Sequence, residues 1–97
     1  MQSYVRSDSV VSRVIAGETL IIPVRKGVGD LASIYSLNQV ASSIWRAIAG
    51  PRSKEEIVQV IDREFSSGDR EQIENDVEAF LDEMRSAGLV NAVGVEA

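Results

Sequence analysis

The sequence predicts an α+β fold, a winged-helix-like module in which an N-terminal three-stranded antiparallel sheet precedes a three-helix bundle. Three observations predict it. Residues 10 to 37 are rich in Val, Ile and Thr, the residue types that suit a half-buried pleated surface. Residues 38 to 88 switch to apolar spacings of three and four, the period of a helix with one buried face. Turn and cap residues punctuate both halves: Ala16-Gly17, the RKGVGD run, Asn38, Gly50-Pro51, Ser66-Ser67-Gly68 and Gly88. A chain of 97 residues, 44% of them hydrophobic, makes one domain, 1–97, with the expected core between 10 and 91.

The first predicted strand runs from Val10 to Ile15 and the second from Thr19 to Val24, joined at Ala16-Gly17. Pro23 has no amide to donate and is expected at the strand's end or facing outward. After the RKGVGD turn, LASIYSL forms the third strand, Leu31 to Leu37, and short connections make the three a meander. Asn38 caps the first helix, whose apolar stripe is Val40, Ala41, Ile44, Trp45 and Ile48. Trp45 is expected to fill the space between that helix and the sheet. Ser53 with Glu56 is a capping box that starts the second helix, with Ile57, Val60, Ile61 and Phe65 inward. Asp69 with Gln72 repeats the cap, and Ile73, Val77, Phe80, Leu81 and Met84 form the core face of the third helix. Gly88 is placed for a left-handed C-cap, Leu89-Val90 should pack back onto the core, and the tail after Asn91 should fray.

Composition removes several chemistries. There is no Cys and no His, so no disulfide, no thiol nucleophile, no Cys/His zinc site and no imidazole base for Ser42-Ser43 or Ser66-Ser67. The seven acids of the third helix and its cap, Asp69, Glu71, Glu74, Asp76, Glu78, Asp82 and Glu83, read as a solvated face rather than a metal or acid–base cluster. No catalytic residue, cofactor or metal is expected. A winged helix offers its third helix to DNA, yet here those acids face only Arg70 and Arg85, and Arg25-Lys26 is a meagre basic wing. With a net charge of −5, neither nucleic acid nor an anionic membrane is an expected partner. Nothing resembles a signal peptide or a membrane span, and the expected location is the cytoplasm.

Peptide capture is a further reading that the residues allow. The third predicted strand carries neither charge nor Pro, the usual devices that blunt an exposed edge. As an edge it can pair with an incoming strand, and the third helix can wall the groove. The residues leave two positions open for that strand: a free edge, or one covered within its own sheet or in a dimer. Each apolar residue of the third helix is likewise core, groove wall, or both.

In order, Tyr35-x-Leu37-Asn38, Ile44-Trp45, Ser53-x-x-Glu56-Ile57, Asp76-Val77 leading to Phe80-Leu81, and Gly88-Leu89-Val90 resemble the PqqD family. These are small proteins of pyrroloquinoline quinone biosynthesis and their relatives, the precursor-peptide recognition elements of ribosomally made, modified peptides. The resemblance covers residues 10 to 91. It implies a chaperone that binds the leader of a precursor peptide and presents it to a modifying enzyme, often a radical S-adenosylmethionine enzyme. It implies peptide contacts at Leu31, Ala32, Ser33, Ile34, Tyr35 and Ser36, and on the helix at Ile73, Asp76, Val77, Phe80 and Met84. Tyr35, Leu37, Asn38, Trp45, Leu81 and Gly88 are implied to be structural. The alternatives are a regulatory or assembly module that docks a protein through the same edge, and a winged-helix DNA binder; the chain is expected as monomer or dimer.

Overall fold

The computed structural model of the protein describes residues 2–8, 10–25, 28–29, 34–65 and 69–94. Along them the order is β1 (Gln2–Arg6), β2 (Val10–Ile15), β3 (Glu18–Arg25), β4 (Val28–Gly29), β5 (Tyr35–Leu37), α1 (Gln39–Ala47), β6 (Arg52–Ser53), α2 (Lys54–Phe65), α3 (Arg70–Ser86) and β7 (Val90–Gly94). The class is mixed α+β with the three expected helices in the expected order.

The predicted first hairpin is β2–β3, antiparallel from Val10↔Pro23 to Ile15↔Glu18. Its two-residue turn has φ +53° at Ala16 and +84° at Gly17. A type I′ turn needs both angles positive, because only then does its twist match that of the strands. Gly17 adopts this freely; Ala16 holds it at some steric cost. β3 is the middle strand, with β2 on one side and β5 on the other, and Ile21 at its centre is fully buried.

Two expectations here are corrected. Pro23 lies inside β3, buried, and not at a strand end facing outward. It stands between the stretch that pairs with β5 (Thr19 to Ile21) and the stretch that pairs with β4 (Val24 and Arg25). A residue without an amide donor suits the gap between two outer partners. The third strand is also shorter than Leu31 to Leu37. Ile34 is unpaired, Leu31, Ala32 and Ser33 lie outside the described residues, and pairing resumes at Tyr35. Between Val24↔Gly29 and Ile21↔Tyr35 the outer chain advances six residues while β3 advances three. One register therefore cannot serve both ends, and Val28–Gly29, read as turn, becomes a short strand of its own.

A second sheet, in the order β6-β1-β7, was not expected. Its antiparallel ladder runs from Gln2↔Gly94 to Arg6↔Val90, so Val90–Gly94 is a paired strand and does not fray. Two further bonds fix it to the helices: Arg6 N–H donates to Ile48 O at 3.2 Å and Ser7 N–H to Leu89 O at 2.9 Å.

Helix boundaries follow the predicted caps. Asn38 Oδ1 accepts from Ala41 N–H at 2.8 Å, and Asp69 Oδ1 from Gln72 N–H at 3.0 Å. At α2 the capping box closes both ways: Ser53 N–H donates to Glu56 Oε1 at 2.9 Å and Glu56 N–H to Ser53 Oγ at 3.2 Å. Hydrogen bonding to its carboxylate, chiefly from the Ser53 amide and next from the Ser53 side chain, holds the Glu56 carboxyl below the usual glutamate value. α3 ends in a Schellman motif: Gly88 at φ +76° donates to Arg85 O and Leu89 to Met84 O. That turn drives Leu89 and Val90 into the core, where both are buried.

The core joins one face of each helix to the inner faces of both sheets. It comprises Ile21 and Leu37 from β3 and β5, Ile44, Trp45 and Ile48 from α1 and its end, Ile57, Val58 and Ile61 from α2, the α3 stripe, and Leu89-Val90. Trp45 is 1% exposed. The Arg6 guanidinium lies 4.8 Å from its ring centroid, and Arg6 Nε donates to the Trp45 carbonyl at 2.8 Å. Strand β1 thus reaches the chain's one Trp from a direction that the sequence did not suggest.

Candidate functional site

β5 begins as an edge. Among the described residues its strand partner is β3 alone, through Thr19↔Leu37, Leu20↔Ser36 and Ile21↔Tyr35. Among the described residues no strand pairs its opposite side; Ser42 Oγ–H reaches the Leu37 carbonyl at 3.4 Å, and the other outward amides and carbonyls are open to water or to another chain. Asn38 follows directly and caps α1, so the chain turns from edge strand into helix within one residue.

That geometry creates a groove. Tyr35, Ser36, Leu37 and Asn38 form one side, Val40, Ala41 and Ile44 of α1 the floor, and Asp76, Ala79, Phe80, Glu83 and Met84 of α3 the far wall, around about 410 Å³. Side chains of a strand alternate between faces. Four consecutive residues lining one hollow means that the hollow borders the side of the strand and not one of its faces. The floor is apolar and the rims are polar. Ser36 Oγ–H donates to Glu18 Oε1 at 3.2 Å, and Gln72 Nε2–H to Asp76 Oδ1 at 2.9 Å.

Of the residues named from the sequence, the structure brings Tyr35, Ser36, Asp76, Phe80 and Met84 to this groove. Ile73 and Val77 are buried core and do not line it. Ile34 is 43% exposed and outside it, and Leu31, Ala32 and Ser33 lie outside the described residues. The sequence reading missed the floor, Val40, Ala41 and Ile44, because those positions also fit a core stripe. It missed Ala79 and Glu83, although they lie three residues after Asp76 and Phe80 respectively, and that i,i+3 spacing was the available signal.

The groove's charge is one-sided. Elsewhere on α2 and α3 several acids have partners: Glu78 with Lys54 at 3.2 Å, Glu64 with Arg46 at 3.1 Å, and Glu74 and Asp62 with Arg70 at 3.7 and 4.0 Å. Asp76 and Glu83 have no cationic partner among the described residues, and no Lys or Arg lines the groove.

A second hollow, about 490 Å³, lies between α3 and β7, lined by Asp82, Arg85, Ser86, Val90, Asn91 and Ala92. It is larger, but its lining is mostly polar and carries both signs of charge. A chain entering it would bury little apolar surface, so the β5 groove is the better candidate. No helix among the described residues is long and apolar enough to cross a membrane.

Comparison with known proteins bears on the family and the fold. The family model of PqqD, described as Coenzyme PQQ synthesis protein D, matches residues 20–90. A solved structure described as TbiB1 in complex with the TbiA(beta) leader peptide is similar at 30% identity and a TM-score of 0.75, covering 96% of this chain and 99% of that one. The search of curated proteins found no match.

Proposed function

This chain belongs to the PqqD family, and from that premise we propose that it is a cytoplasmic peptide-binding chaperone for the leader of a ribosomally made precursor peptide. The leader adds as a strand to the free side of β5 and lies against α3. Main-chain hydrogen bonds to β5 supply affinity, and the apolar floor and α3 wall select side chains. The bound leader is then presented to a peptide-modifying enzyme, of the radical S-adenosylmethionine class or another. The chain contributes binding and no catalytic residue. The peptide-contacting residues are Tyr35 and Ser36 with Asp76, Phe80 and Met84, joined by Ala79 and Glu83. Ile34 extends the edge, and Ile73 and Val77 act from beneath by fixing the wall.

The single observation that carries this reading is the coincidence of an unpaired strand side with an apolar hollow facing α3. The similar protein TbiB1 is described in complex with a leader peptide, which supports the same class of ligand. The test is an amide chemical-shift titration of the labelled chain with candidate leader peptides. The largest shifts are expected over Tyr35–Leu37 and Asp76–Met84. Shifts confined to β2, or to the α3–β7 hollow, would overturn the placement.

A further inference from the structure

We infer that the peptide held in the β5–α3 groove carries Lys or Arg at two helix-facing positions, i and i+4 of its added strand, with an apolar residue at i+2 between them. The inference deepens the strand-capture reading and rests on it.

Asp76 and Glu83 both line the groove and are seven residues apart in one uninterrupted helix. Seven residues at 1.5 Å each set them about 10 Å apart along the axis. Between them stand Ala79 and Phe80, the apolar part of the wall. An added strand alternates its side chains, so its helix-facing positions are i, i+2 and i+4. At about 3.3 Å per residue, i and i+2 are only about 7 Å apart, whereas i and i+4 are about 13 Å apart. The long, flexible stems of Lys and Arg absorb the remaining few ångströms and lie along apolar surface as they do so. The i+2 side chain then meets Ala79 and Phe80. The i+3 position would match the spacing better, but it points to the other face of the strand.

Charge decides the residue type at the ends. On α3, among the described residues, Glu78 and Glu74 are matched by Lys54 and Arg70, whereas Asp76 and Glu83 are the unmatched carboxylates that line the groove; Glu71 and Asp82, also unmatched, lie outside it. Glu18, bonded to Ser36 at the strand side, adds a third carboxylate near the rim. A leader with Asp or Glu at i or i+4 meets like charge, and an uncharged one leaves the field unused.

The test selects binders from a phage-displayed library of random short peptides on the full-length chain, then measures the enriched peptides by fluorescence anisotropy and amide shifts. Enrichment of basic–x–apolar–x–basic sequences that shift Tyr35–Leu37 is the expected result. Asp76→Asn and Glu83→Gln should each weaken those peptides about two- to fivefold, the scale of an exposed ion pair, and more weakly at high salt. Glu71→Gln, on the same helix but outside the groove, should leave them unchanged. Peptides that shift β5 yet show no basic preference, and no response to either substitution, overturn this inference while strand capture stands. Peptides that bind without moving β5, or a failure to enrich any, overturn both.

Discussion

Arg6 makes a sharp stability prediction. Its side chain closes the C-terminal end of a helix 39 residues away. In the last turn of α1, Ile48 N–H returns to Ile44 O and Ala49 N–H to Arg46 O, so the Trp45 carbonyl receives no backbone donor there. Such unmatched carbonyls are inherent to helix ends. Arg6 Nε supplies the missing donor at 2.8 Å, places a cation at the negative end of the helix, and covers the indole face at 4.8 Å. A hydrogen bond from a charged donor contributes about 1.5–3 kcal/mol, and a cation over a ring adds about 0.5–1 kcal/mol where water still reaches it. Arg6 is only half-buried, so we take the lower end and expect Arg6→Met to cost about 2 kcal/mol. Met keeps much of the stem's packing and removes the donor and the charge. For a domain of this size that loss is a large share of about 5–15 kcal/mol and lowers Tm by about 8–16 °C. Urea unfolding followed by the fluorescence of Trp45, the chain's one Trp, is the assay. A loss below about 0.5 kcal/mol, the scale of an ordinary surface change, would refute the reasoning.

The other expectations can be checked in the same unfolding experiments or by peptide binding. Gly88→Ala meets no atom within 4 Å but must hold φ +76°, so it should cost about 1–2 kcal/mol from backbone strain alone; an unchanged midpoint would contradict the Schellman assignment. Glu56 has a lowered folded pKa, so its contribution is present above the unfolded carboxyl range and lost as pH falls through the depressed folded value. The stability gap between the parent and Glu56→Ala should therefore shrink on acidification, and a gap independent of pH would count against the capping box as its source. Ala79→Trp fills the apolar wall from an exposed position, leaving stability within about 0.7 kcal/mol. By denying the leader one buried apolar side chain, about 1.5–3 kcal/mol, it should weaken peptide binding by about tenfold or more.

Local chemistry made much of this fold legible. Gly17, Asn38, Ser53 with Glu56, Asp69 with Gln72, and Gly88 each act on atoms within a few residues, and each does in the structure what its residue type dictates. The second sheet was not legible for the opposite reason. Gln2–Arg6 and Val90–Gly94 are short, lack clean alternation, and gain their partners only when the two ends of the chain meet. The third strand failed in between. LASIYSL has strand-forming residues throughout, but the outer chain has three residues too many to keep one register against β3, and that excess is invisible without the partner. The groove was half legible. An uncharged edge strand could be seen in Tyr35 and Ser36, but whether Ile73 or Ala79 faces it depends on how α3 is rotated against α1.

That rotation separates two duties on α3. Ile73, Val77, Leu81 and Met84 are buried, so changes there register first as lost core packing. Asp76, Ala79 and Glu83 are exposed on the flank that lines the groove, where substitution leaves the core intact. Phe80, 8% exposed, serves both. Recognition of different leaders can therefore change on one flank of this helix at little cost in stability, while the opposite flank holds the wall at a fixed distance from β5. The main-chain side of β5 is indifferent to sequence, since any strand offers the same amides and carbonyls. If a peptide adds to β5 as proposed, discrimination falls to the side chains that line the groove: the floor, the buried Phe80 and Met84, and the three exposed α3 positions, two of which are carboxylates.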